Sequence, residues 1–290
     1  MRSEQEMLDL ILNTAQDDDR IRVVIMNGSR TNPNAPRDIF QDFDILYLVT
    51  AIEPFIADLT WINRFGERMI LQMPETMQDP PPANDGFFTY LMQFADGNRI
   101  DLGLFPIAKL DQLGHDSLSR LLLDKDGLCQ PFASPSERDY LPTAPTAQAF
   151  SDCCNEFWWV CTNVAKGLWR EEIMYAKQML DRYVRDQLMK MLTWHVGMKT
   201  QFLRNPGKFG KYFKQCLEPE LWELLEQTYA DADYDATWAA LFAMCKLFRM
   251  TATDIAAHFG LEYPQGDDEK VSAHLQHVRR LPKAAKELSP

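Results

Sequence analysis

Two aspartates separated by one residue head an otherwise apolar run, Asp42-Phe43-Asp44-Ile45-Leu46-Tyr47-Leu48-Val49. The run reads as a strand, so Asp42 and Asp44 project from one face while Phe43 and Ile45 point into a core. Neighbouring carboxylates on such a strand repel unless a cation or solvent relieves them. Residues two apart on a strand are roughly 6 to 7 Å apart, close enough for both carboxylates to reach one metal ion or to bracket a pair. A chain with this pattern needs a sheet that leaves the acidic face of this strand to solvent or to a cation.

The flanking segments supply the rest of such a sheet. Ile21-Arg22-Val23-Val24-Ile25-Met26 reads as a short buried strand, and Gly28 permits a tight turn after it. Asn98 to Phe105 reads as another strand, with Ile100, Leu102 and Leu104 on its apolar face and Asp101 opposite. Phe87 to Phe94 is strand-like too, and Ala95-Asp96-Gly97-Asn98 is a hairpin signal joining the two. Asp101 is therefore expected beside Asp42 and Asp44 in one sheet.

Gly28-Ser29, then Asp42-x-Asp44, then a third acid on a later strand resembles the DNA polymerase β-like nucleotidyltransferase superfamily. Within it the chain is similar to the aminoglycoside 6-adenylyltransferases, also called streptomycin adenylyltransferases. The likeness runs through Gly28-Ser-Arg-Thr-Asn-Pro, Phe40-Gln-Asp-Phe-Asp-Ile, Arg99-Ile-Asp-Leu, Lys166-Gly-Leu-Trp-Arg-Glu-Glu and Gly210-Lys-Tyr-Phe-Lys, over roughly residues 1 to 265. The resemblance implies transfer of AMP from ATP to a hydroxyl, the 6-hydroxyl of streptomycin, with release of pyrophosphate and resistance to the drug. It implies two Mg2+ ions on Asp42 and Asp44, with Asp101 as the base and a further metal contact.

Other site residues are read against plainer alternatives. A turn exposing N–H groups suits phosphates, which places Gly28 and Ser29 on the nucleotide, with Arg30 or Asn32 adding a contact. Lys208, Lys211 and Lys214 either meet the same phosphates or form a solvated basic turn; if helical, Lys211 and Lys214 share a side. Trp169, Glu171 and Glu172 either receive a cationic acceptor or simply favour a helix start. Asp181 and Glu67 are further acidic candidates, and Trp159, beside Trp158, is free to face outward and line a cleft. The five histidines show no metal-ligand spacing, and His195 reads as structural.

Charge narrows the substrate. Residues 1 to 150 carry 12 Lys and Arg against 23 Asp and Glu, and residues 151 to 290 carry 18 against 19, so the net charge of −12 divides as −11 and −1. An acidic surface repels nucleic acid and suits a small polycation, although solubility alone also accounts for it. Met1-Arg-Ser-Glu-Gln-Glu has no apolar signal region, no span is long enough for a membrane, and six cysteines lack zinc spacing. These observations lead to the expectation of a cytoplasmic enzyme with reduced thiols and no membrane or nucleic-acid partner; the oligomeric state stays open, with a monomer favoured.

The expected fold class is α+β: a mixed-sheet nucleotidyltransferase domain over residues 1–135, then a helical bundle over 136–265 that binds the acceptor, then a loosely held tail over 266–290. ATP and the acceptor would meet in a cleft. Strands and short helices alternate to about residue 110. The boundary falls in the proline-rich stretch Pro131 to Pro145, beyond which helical faces such as Phe150, Cys153, Cys154, Phe157, Trp158, Cys161 and Val164 take over. Asp235 is expected to cap a helix over Trp238 to Phe248, with a separate helix from Thr253 to Phe259 stopped by Gly260. Two rival readings keep the same site. In one it modifies another metabolite or a protein; in the other it binds nucleotide as a regulator without turnover.

Overall fold

Ser3 and Glu6 cap each other's backbone in a reciprocal box, so the first helix, α1, runs from Glu4 to Asp17 and buries Met7 and Ile11. The computed structural model describes residues 1–83 and 85–288. The chain divides into two units between Asp139 and Tyr140, inside the proline-rich stretch and four residues beyond the expected boundary.

The first unit is built on one six-stranded sheet. Its strands are β1 (Ile21–Asn27), β2 (Phe43–Val49), β3 (Arg68–Gln72), β4 (Phe88–Phe94), β5 (Arg99–Pro106) and β6 (Arg120–Asp124), in the spatial order β3-β4-β5-β2-β1-β6. A short helix, α2 (Glu53–Ala57), follows β2. Every neighbouring pair is antiparallel except β2 and β5, which run parallel. β6 extends the sheet past residue 110. Its sequence, Arg-Leu-Leu-Leu-Asp, has no alternation to announce it.

Alternation along the strands produces two cores. Val24, Met26, Phe43, Ile45 and Tyr47 pack with Met7 and Ile11 of α1 on one face. On the other, Val23, Ile25, Leu46, Leu48 and Phe105 form a smaller cluster under the segment that follows β5. By the period of two, Asp44 stands on this second face, next to Leu46.

The second unit is helical: α3 (Ala147–Trp169), α4 (Ile173–Gln178), α5 (Arg185–Lys199), α6 (Phe213–Cys216), α7 (Pro219–Glu226), α8 (Tyr234–Phe259) and α9 (Gln265–Arg280). A π-helical turn, Met179–Val184, joins α4 to α5. The expected α3 face is buried throughout. The two helices expected between residues 238 and 259 are a single helix, α8, capped by Asp233 rather than Asp235; the Asp233 carboxylate accepts the Ala236 N–H at 2.8 Å, and Gly260 closes the far end in the left-handed region.

The segment from residue 266 departs from the loosely held tail expected of it. It forms most of α9, which buries Leu275 and Val278 in the main helical core. Asp268, 1% exposed, secures it: the carboxylate takes a two-pronged hydrogen bond from Arg249 of α8, one from Tyr263 Oη at 2.6 Å and one from Ser272 Oγ at 2.9 Å. A polar network holds α9 where the sparse apolar spacing of Val271, Leu275 and Val278 gave little signal.

Candidate active site

The parallel pairing of β2 with β5 brings the acids together. In that register Asp44 lies directly opposite Asp101, on strands roughly 4.8 Å apart. Asp42 immediately precedes β2, and the neighbouring charges act on both Asp42 and Asp44. Burial, followed by the charges of Asp101 and Asp42, pushes the Asp44 carboxyl up to about 6. Asp42 is also raised, first by burial and then by Asp101, against the opposing pull of Arg99. Like charges held together in a partly desolvated place mark a candidate functional site.

Gly28 shows why the turn requires glycine. Its φ is +73°, and a Cβ there would come within 2.2 Å of Asp44 Oδ2. The turn thus presses its backbone against one of the acids. Beyond it, Gly28–Arg30 forms a 3-10 turn in which Ser29 is half-buried.

The other two residues expected on the nucleotide from this loop have structural work. Arg30 is 7% exposed; its Nε donates to the Asp42 carbonyl at 2.9 Å and its Nη2 to the Gln41 carbonyl at 2.7 Å, while its guanidinium lies 3.7 Å from the centre of the Phe43 ring. It fixes the approach to β2. Asn32, also buried, donates to Glu137 Oε1 at 2.9 Å and accepts the Asn34 N–H at 2.9 Å. Neither side chain is aimed at a ligand.

Arg99 fills the role of nearby cation. Its Nε and Nη2 each donate to one oxygen of Asp101 at 2.7 Å, and its Nε lies 3.6 Å from Asp42 Oδ2. The sequence contained the signal, a basic residue two positions before an acid on the same strand face, but only as part of a matched motif. Two more residues come from the fold alone: Asn27, paired across the sheet with Asp44, accepts a hydrogen bond from Ser119 Oγ at 2.8 Å. Both line a cavity of about 700 Å³ on the Asp44 face, with Leu46, Phe87, Leu113 and Phe132 as apolar walls.

The donor set fits magnesium, which prefers carboxylate and water oxygens. Asp42, Asp44 and Asp101 are the residues that would hold it. Among the described residues no three acidic, histidine or cysteine side chains converge as a ready metal cluster.

The expected residues of the helical unit are separately placed. Lys208 and Lys211 belong to the turn around Gly207 and Gly210, and Lys214 to α6, so they do not share the single helix that would align them. Each ammonium lies over an aromatic ring: Lys208 at 5.3 Å from Phe209, Lys211 at 4.9 Å from Tyr212, and Lys214 at 5.8 Å from Trp222. Trp169 donates from Nε1 to the Leu281 carbonyl at 3.0 Å and so ties the chain beyond α9 to α3. Glu171 pairs with Lys283 at 3.1 Å. Asp181 lies between Lys177 at 2.9 Å and Arg185 at 3.0 Å. Glu172 and Glu67 are exposed, and Trp159 is 67% exposed on α3, as the outward reading anticipated. All six cysteines are free thiols, four of them buried, and no described helix is long and apolar enough to cross a membrane.

The family model described as streptomycin adenylyltransferase matches residues 1–278. The chain belongs to this family. An aminoglycoside 6-adenylyltransferase of Bacillus subtilis (strain 168) is 42% identical over 270 residues, covering 92% of this chain and 95% of that protein. One from Campylobacter jejuni is 43% identical over 276 residues, 95% of each, and one from Staphylococcus aureus 34% over 266, 91% and 94% respectively. A crystal structure of an aminoglycoside 6-adenyltransferase from Bacillus subtilis covers 97% of this chain and all of its own, at 36% identity and a TM-score of 0.48. As a member of the family the protein is an enzyme, a nucleotidyltransferase of the α+β class with a mixed-sheet unit followed by a helical one.

Proposed function

We propose that the protein transfers AMP from ATP to a hydroxyl of a cationic aminoglycoside, the 6-hydroxyl of streptomycin, and releases pyrophosphate. The observation that carries this reading is the parallel register that sets Asp44 opposite Asp101, with Asp42 beside them and the Gly28 turn against Asp44. When bound, two Mg2+ ions would neutralise the phosphates and stabilise the attacking and departing oxygens.

The chain's own groups account for the remaining requirements. Backbone N–H groups of the Gly28–Ser29 turn meet the terminal phosphates, and Lys208, Lys211 and Lys214 are the candidates to add positive charge. Asp101, near the start of β5, accepts the proton of the attacking hydroxyl. The excess of acid over base in residues 1 to 150 draws a polycation toward the sheet. Glu171 and Asp181 can serve the acceptor only by exchanging Lys283, Lys177 or Arg185 for its guanidinium and ammonium groups, while Trp159 is already presented to solvent. AMP adds an anion to a polycation, which reduces its complementarity to anionic ribosomal RNA and gives resistance inside the cytoplasm. Purified protein with Mg2+ and ATP should release pyrophosphate only when streptomycin is present, with the drug gaining the mass of AMP. Release with another acceptor but none with streptomycin overturns the substrate assignment.

A further inference from the structure

The grip of Arg99 on Asp101 conflicts with both roles assigned to that acid. Each Asp101 oxygen accepts a hydrogen bond from the same guanidinium, at 2.7 Å on either prong. A carboxylate clasped this way has one lone-pair site on each oxygen occupied and one left open. A cation or an incoming hydroxyl proton therefore competes with the guanidinium for Asp101.

The surrounding charges show what Arg99 balances. Asp44 and Asp101 face each other where β2 and β5 begin, with Asp42 just before β2, and Arg99 reaches two of the three acids, Asp101 directly and Asp42 at 3.6 Å. The other guanidinium near the site, that of Arg30, is committed to the Asp42 and Gln41 carbonyls and to Glu4 at 3.3 Å. Arg99 and Asp101 are two apart on β5 and so share a face, and the Arg99 side chain is 39% exposed. It therefore has solvent to swing into, whereas the buried Arg30 has far less.

We propose that Arg99 is a tethered counter-ion: it neutralises the trio and clasps Asp101 while no divalent cation is bound, and it competes with the cation that loads there. Arg99 is thus a positioning residue that holds Asp101 in place before the metal arrives, and its charge opposes metal binding. The inference rests on the reading of the trio as a divalent-cation site.

Mn2+ binding to the purified full-length protein, followed by the electron paramagnetic resonance of free Mn2+, tests it. A unit positive charge about 6 Å from a divalent ion weakens binding by roughly tenfold at water-like dielectric. Arg99→Gln should therefore bind Mn2+ about tenfold more tightly than the unaltered protein, while its melting temperature without metal falls because the trio loses its partner. Arg99→Lys keeps the charge but loses the fork, so its Mn2+ affinity should lie between the two; it also serves if Arg99→Gln fails to fold. Unchanged or weaker Mn2+ binding in the folded variants overturns the inference and leaves Arg99 as a mere support of Asp101. No Mn2+ binding by the unaltered protein, and none lost in Asp44→Asn, would instead overturn the cation reading beneath it.

Discussion

Asp44→Asn should stabilise the protein at neutral pH while abolishing its chemistry. In the folded chain the Asp44 carboxyl is pushed from 3.8 to about 6, chiefly by burial and then by Asp101 and Asp42. A carboxyl whose folded value is raised binds its proton more tightly in the native state, so its ionisation opposes folding. The penalty is fully present above pH 6 and disappears as the pH falls toward 3.8. Its size at pH 7.5 is at most about 3 kcal/mol, equivalent to a rise of roughly 6–12 °C in the melting temperature of a unit this large once an uncharged, equally shaped amide takes its place. Calorimetric melting of the two proteins without metal, from pH 4 to pH 8, measures it. The gap should be widest above pH 6, shrink on acidification, and narrow when Mg2+ is added, because only the unaltered protein gains a ligand. A variant no more stable at pH 7.5, or a gap that widens toward pH 4, refutes the reasoning.

Gly28→Ala should be costly twice over. Its Cβ would come within 2.2 Å of Asp44 Oδ2 at a φ of +73°, so stability should drop by about 1–3 kcal/mol and streptomycin-dependent pyrophosphate release by at least tenfold; normal turnover would show that the turn can move away from the acid. Asp268→Ala should strip α9 of its anchor and leave the half-buried Arg249 unpaired, costing about 3 kcal/mol, read by urea unfolding followed through tryptophan fluorescence. A loss below a few tenths of a kcal/mol would mean that apolar contacts alone hold α9.

The residues that announced themselves in the sequence did so through strand alternation. Asp42, Asp44 and Asp101 stand out because each breaks an apolar run of period two, and the hairpin at Asp96-Gly97 fixes which strand carries the third. What stayed hidden depends on contacts distant in sequence. Nothing local reveals that Arg30 is consumed by the Asp42 and Gln41 carbonyls and the Phe43 ring, or Asn32 by Glu137, since the partners lie 11 to 13 and 105 residues away. Asp233 and Asp235 are equally good caps on paper, and only the path of the chain chooses between them. Of α9 only a short helix near Ala273 to Arg280 was legible; its earlier start and its anchoring were not, because its hold comes from one buried carboxylate shared by Arg249, Tyr263 and Ser272, a tie that no hydrophobic period encodes.

The single parallel contact in the sheet has a wider consequence. β3, β4 and β5 form one antiparallel ribbon, and β2, β1 and β6 another; β2 against β5 is the seam between them. The acids sit on both sides of that seam at one end, so their repulsion acts to part the two ribbons where they join. A guanidinium from one ribbon reaching toward Asp42 of the other works as a clip, and a divalent ion bridging Asp44 and Asp101 would be a stronger one. The proposed site is thus also the joint between the two half-sheets, and a cation loaded there would tighten the scaffold that presents it.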